Sequence, residues 1–357
     1  MNTNDILEYF ENTSLIIQLV WLFSGIFLTI ICLLAFYLKY LRNYLRANEK
    51  IVDKYQEKYE SYLVTYLYAG NDNEAFSAEQ LKIINKLKKS IANPFKRKII
   101  VSILLKLRNE ISGEMAESID KLFVKLGLLR YSLAKLRNKK WEVIATGIRE
   151  LTQFKIKAVH KIIMNNINHP KKEVRKEMQL YLVYLYAFKG LDFLNVLETS
   201  LSEWDQIQLL EILQINNDTQ IADIRPWLKS SNDSVVNFTL KLAKVYNQFE
   251  AKEELIELLH HKSEDVRINA ISALSDLNIF EAKNILKNNF NESSLEEQIA
   301  FIKMMRNVYE ASDKPFILEQ IHHENSEIRL LVMEILKNIN FEGYALYEAE
   351  FKKALTA

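Results

Sequence analysis

One cysteine, four prolines and seven glycines are all that 357 residues contain. The lone Cys32 excludes an internal disulfide framework and fits a reducing compartment. Strand-rich folds need many tight turns, and tight turns consume glycine and proline. A chain this poor in both, and rich in Leu, Ile, Lys, Glu and Asn, reads as all-α. The glycines are too scattered for a phosphate loop or a dinucleotide-binding turn, and no HExxH occurs. These absences predict no catalytic residue, no metal site and no cofactor.

Charge is lacking in one place above all. From Asn12 to Leu38 no Asp, Glu, Lys, Arg or His occurs, and SLIIQLVWLFSGIFLTIICLLAFYL (14–38) is long enough to cross a bilayer as one helix. The tail before it (1–13) carries only acids, which disfavours a cleavable signal peptide. Lys39, Arg42, Arg46 and Lys50 follow the run at once. The positive-inside rule then places the N-terminus outside and the bulk of the chain in the cytoplasm, anchored in the inner (cytoplasmic) membrane by a single pass.

The formal net charge of +1 hides a strong asymmetry. Residues 39–176 hold 30 basic and 14 acidic side chains, whereas residues 177–357 hold 17 basic and 29 acidic ones. The segment 39–92 reads as a juxtamembrane helical region, with a helix leaving the membrane and a break at Gly70-Asn71-Asp72-Asn73. Tyr44, Tyr55, Tyr59, Tyr62 and Tyr66 recur at helical spacing, as a stripe packed on the first repeats or, alternatively, a dimer seam. From Gln80 to Asn109 there are nine Lys or Arg and no acid. Ser77 with Gln80 forms a capping-box pattern, and Asn93-Pro94 reads as an N-cap followed by proline at the first helical position. Two helices therefore meet where Lys86, Lys88, Lys89, Lys96, Arg97 and Lys98 cluster. Contact with anionic lipid headgroups is the reading for these six.

Residues 93–357 repeat. HPKKEVRKEMQLYL (169–182), HKSEDVRINAISAL (261–274) and HENSEIRLLVMEIL (323–336) share a histidine, an acid, a branched apolar residue, an arginine and a helical apolar pattern. Val143, Val174, Val236, Val266 and Ile328 fall on a period of about 31, and SEWDQIQLLEIL (202–213) and LEEQIAFIKMM (295–305) fill the gaps. Such a period marks a helical solenoid of about seven to eight helix pairs, each too small to bury its apolar face alone.

The signature resembles HEAT repeats, which have an acidic turn followed by Val-Arg; here it is Glu173-Val174-Arg175, Asp265-Val266-Arg267 and Glu327-Ile328-Arg329. The resemblance implies structural ladder positions at His169, Arg175, His261, Arg267, His323 and Arg329, with histidine where that family often has Asp or Asn. Because the histidines lie in different repeats, they are spaced too widely to share one metal. HEAT-like iron hydroxylases resemble a set of His-Glu dipeptides, and this chain has one, His323-Glu324. As a whole the chain resembles bacterial membrane-anchored HEAT proteins without assigned activity. That resemblance implies a scaffold or regulatory subunit holding a protein partner, such as an accessory to an envelope glycosyltransferase. The alternative is a membrane-associated nucleic-acid binder resembling HEAT-like glycosylases; nucleic acid is not the expected partner.

Overall fold

The computed structural model describes residues 14–69, 76–215, 221–339 and 342–345. The expected acidic tail (1–13), the break at 70–73 and the final segment from 346 lie outside the described residues. Among the described residues there are 17 α-helices, joined by short 3-10 turns, and no strand. The fold is all-α and helical repeat-like. The chain divides into two compact units, the first ending at Tyr131 and the second starting at Ser132.

In the first unit, α1 runs unbroken from Leu15 to Tyr68. No glycine or proline occurs between Ile26 and Ala69, so nothing interrupts its backbone bonds. α2 (Ala78–Ile91) starts on a full capping box between Ser77 and Gln80. α3 (Pro94–Glu110) starts on Asn93, whose side chain accepts from the Phe95 and Lys96 amides. Both helix starts thus follow the chemistry legible in the sequence. α4 (Glu114–Lys125) completes the unit, and α5 (Leu129–Lys135) spans the division. The core joins Tyr59, Leu63 and Tyr66 of α1 to Ile84 and Leu87 of α2, Ile100 and Leu104 of α3 and Phe123 of α4. α3 and α4 pack on α1, which is why they belong with it rather than with the repeats that follow.

The second unit is built on a regular count. Its longer helices are α6 (Trp141–Gln153), α8 (Lys172–Tyr186), α9 (Glu203–Ile215), α11 (Asp233–Val245), α13 (Glu264–Asp276), α15 (Leu295–Val308) and α17 (Ser326–Asn338). Successive starts lie 31 residues apart, except for 30 between α9 and α11. Between them sit short returns: α7 (His160–Met164), a 3-10 stretch (Ala187–Val196), α10 (Arg225–Leu228), α12 (Lys252–Glu257), α14 (Ala282–Asn288) and α16 (Lys314–Glu319). Neighbours pack in sequence, α6 on α8, α8 on α9, α11 on α13, α13 on α15 and α15 on α17.

The scarcity of glycine has a local explanation. Lys155, Asn247 and Asn278 take positive φ two residues after α6, α11 and α13 end. The next amide in each case donates back to a helical carbonyl, Ile156 to Leu151, Gln248 to Ala243 and Ile279 to Leu274, closing a Schellman cap. Asparagine tolerates the left-handed region better than most residues. Glycine is retained where bulk is forbidden: a Cβ on Gly190 would stand 2.2 Å from the Leu182 carbonyl oxygen.

Candidate functional site

The basic junction between α2 and α3 is seated on the aromatic stripe of α1. Gln80 Nε2 donates to the Tyr66 carbonyl at 3.1 Å, fixing the start of α2 near the end of α1. Lys86 Nζ lies 5.1 Å from the Tyr62 ring centre, and Lys96 Nζ lies 5.2 Å from that of Tyr55. Phe95 meets Tyr55 edge-on at 6.2 Å. Following these contacts in order, α2 runs back along α1 toward the apolar run, and α3 returns, with Lys106 Nζ 3.4 Å from Glu60. Lys86, Lys88, Lys89 and Lys98 are exposed and Lys96 is half-buried.

Arg97 differs from its neighbours. Its guanidinium donates to the Ile91 carbonyl at 3.1 Å and stacks on Tyr131 at 3.9 Å. It locks the helix start in place instead of facing solvent.

Tyr55 lies about 25 Å beyond Leu38 along α1, at 1.5 Å per residue, and Lys39, Arg42, Arg46 and Lys50 share one face of α1 between the apolar run and this junction.

The repeat histidines and arginines make one device three times over. His169, His261 and His323 each accept, through Nδ1, the amide two residues on, at 3.1 Å in every case. Their carbonyls each accept from the arginine six residues on: Arg175 and Arg267 at 2.8 Å, Arg329 at 2.7 Å. The imidazole thus imitates an Asx turn. Asn138 and Ser230 fill the same place before α6 and α11, accepting from the amides of Lys140 and Asn232. Arg97 with Ile91 repeats the arginine half. These members escaped the sequence because two lack histidine and Arg97 lies off the period; a search for any amide acceptor two residues before an N-cap finds the first two. The Nδ1 of each histidine is engaged in its own turn, and no group of three metal-ligating residues forms among the described residues.

Between consecutive repeats, neutral ties such as Asn269 to Asn237 and Asn307 to Ser275 are joined by charged ones. Arg267 also pairs with Glu297 at the start of α15. Burial would push the Glu297 carboxyl up, but Arg267 and Ser294 hold it below its ordinary value. Lys283 of α14 is bound to Asp313 at 3.0 Å and Glu310 at 2.6 Å, and Lys287 closes on Asp313 as well. Burial again opposes ionisation of Asp313, yet the two lysines and the Glu310 amide keep its carboxyl low. Burial opposes the charge on Lys283 too, and its two carboxylate partners raise it above the ordinary lysine value. Lys283, Lys287, Glu310 and Asp313 thus form a charged clamp between α14 and the start of α16.

No protein-family model matches the chain, and no curated protein matches it. Among solved structures it is similar to the crystal structure of an engineered protein, at 15% identity over 79% of this chain and 88% of that one, with a TM-score of 0.35. A second engineered protein is similar at 15% identity over 72% of this chain and 96% of that one, with a TM-score of 0.24.

Proposed function

We propose that the chain is a membrane-tethered scaffold whose second unit is a HEAT-like solenoid presenting a surface to a protein partner in the cytoplasm. The observation that carries this reading is α1. Its apolar run is bare along its whole described length, with Leu15, Phe27, Leu33 and Phe36 all more than 60% exposed. A soluble core helix of that composition is covered, whereas this one is long and apolar enough to cross a membrane and continues directly into the helix on which the first unit is built. The 31-residue count supports the solenoid, since stacked pairs of this kind gain stability only from their neighbours.

Two features support a binding rather than a catalytic role. The recurrent polar residues are consumed by turn and inter-repeat bonds, and the exposed cations and acids are segregated along the chain. Under this reading the acidic later repeats engage a partner with a basic face. An accessory role to a membrane enzyme, such as an envelope glycosyltransferase, suits that arrangement by analogy.

The test is recovery of the full-length chain from its native membranes after brief crosslinking, with nuclease and moderately high salt. One protein in near-equal amount is the expected result. Binding of nucleic acid that collapses steeply as salt rises, with no stoichiometric protein, replaces the scaffold with the nucleic-acid reading.

A further inference from the structure

The aromatic stripe of α1 does not end where α2 and α3 stop covering it. From Tyr55 to Tyr66 it is packed inside the first unit, but Tyr44 is 54% and Ile51 48% exposed. Reading back from Tyr55, the spacing alternates between four and three: Tyr55, Ile51, Asn48, Tyr44, Leu41, Tyr37; beyond Tyr55, where α2 and α3 cover the helix, the next such place is Lys58. These are the a and d places of a heptad, with Leu41, Asn48 and Tyr55 at a and Tyr37, Tyr44 and Ile51 at d. The flanking places hold Leu38, Tyr40, Leu45, Ala47 and Val52, with Lys54 the sole charge. Every other charge between Lys39 and Glu57 falls on the outer face: Lys39, Arg42, Arg46, Glu49, Lys50, Asp53 and Glu57. A seam this apolar, on a helix standing in water, is left uncovered by the chain itself.

We infer that the seam is covered by the same seam of a second copy, forming a short parallel coiled coil just outside the membrane. The inference rests on the membrane anchor proposed above. Anchoring sets two copies side by side, in the same direction and at the same height, so each seam residue meets its own twin. The sequence suits that encounter. Like charges are kept apart, because every charged residue of the stretch except the flanking Lys54 points outward. Asn48 occupies an a place, where two in-register side-chain amides donate to and accept from one another. A single polar a residue of this kind specifies register and partner number at some cost in stability. The same stretch is ill-suited to lying flat on the lipid. An unbroken helix, without glycine or proline after Gly25, does not turn from crossing the bilayer to resting on its surface.

The experiment uses the full chain in its own membranes with Cys32 replaced by serine, leaving no other cysteine. Single cysteines are placed at seam positions (Y44C, I51C) and outer positions (R46C, K50C), and a short thiol crosslinker is added. All four sites are exposed and outside the core, so the fold is retained. The expected result is an adduct of twice the chain mass from Y44C and I51C, at least five-fold above R46C and K50C. Adding N48D to Y44C sets two carboxylates at the same level and lowers that yield several-fold, whereas N48Q retains most of it. Equal yields at all four positions, no adduct, or an adduct of another mass overturns the pairing. Carbonate extraction of the same membranes is scored separately. A chain released by carbonate removes the anchor, while the crosslinking pattern still decides whether the seam pairs.

Discussion

Replacing Arg267 by alanine should cost far more than replacing Arg175, although the two occupy the same place in their repeats. Both donate to two turn carbonyls, Arg175 to His169 and Pro170 at 2.8 and 3.1 Å and Arg267 to His261 and Lys262 at 2.8 and 3.2 Å. Losing that pair of partly exposed bonds costs about 1 kcal/mol. Arg267 alone also holds a carboxylate, Glu297, whose side chain is 10% exposed. Stranding a buried partner costs about 3–5 kcal/mol, and the one-quarter exposure of Arg267 reduces this to about 2. R267A should therefore lose about 3 kcal/mol locally, against about 1 for R175A. Stacked repeats open locally, so the suitable assay is amide hydrogen exchange of the full chain in detergent. Protection in α13 and α15 should fall roughly 100-fold for R267A, and in α8 and α9 by less than 10-fold for R175A. Equal losses would refute the reasoning, because the Arg–Glu tie between repeats would then contribute nothing.

Four further outcomes follow from the same structure. D313A should open α14 and α16 by about 3 kcal/mol, since Lys283, only 5% exposed, and Lys287 both lose their shared acid; exchange in those helices checks it. Because the Asp313 and Glu297 carboxyls are held low, their stabilisation is complete above the ordinary carboxylate range and fades as pH falls through their lower folded values. Protection in α13–α16, corrected for the intrinsic exchange rate, should fall below about pH 4, and D313N should flatten its share of that dependence. G190A should disrupt the return after α8 by about 3 kcal/mol, as the new methyl meets backbone rather than a movable side chain, visible as lost near-ultraviolet dichroism. H261N should keep the turn acceptor and change thermal stability little, whereas H261A should cost about 1 kcal/mol.

Much of this architecture could be read from the residues. The 31-residue spacing located the longer helix of every repeat from α6 to α17, because each begins at a turn whose chemistry recurs. The starts of α2 and α3 were legible in Ser77, Gln80, Asn93 and Pro94, since caps are local. What escaped is what depends on distance in space. Lys86 and Lys96 look like free surface cations on a linear map, and only the fold shows them against the Tyr62 and Tyr55 rings. Arg97 looked like one more surface cation until its partner across the turn, the Ile91 carbonyl, was visible. The Lys283–Asp313 clamp lay hidden because its members belong to short returns without a periodic signature. The histidines' turn role was anticipated as structural, but the Nδ1 bond belongs to backbone geometry.

The account stands or falls on α1 crossing a membrane with the helical units on its basic side. Single cysteines at Asn12 and Lys262, in a chain with Cys32 replaced by serine, are labelled with a membrane-impermeant maleimide in cells whose inner membrane is intact and again after it is opened. The account predicts that the chain resists carbonate extraction, that N12C reacts in intact cells and that K262C reacts only after opening. Release by carbonate, or labelling of K262C before N12C, would contradict it.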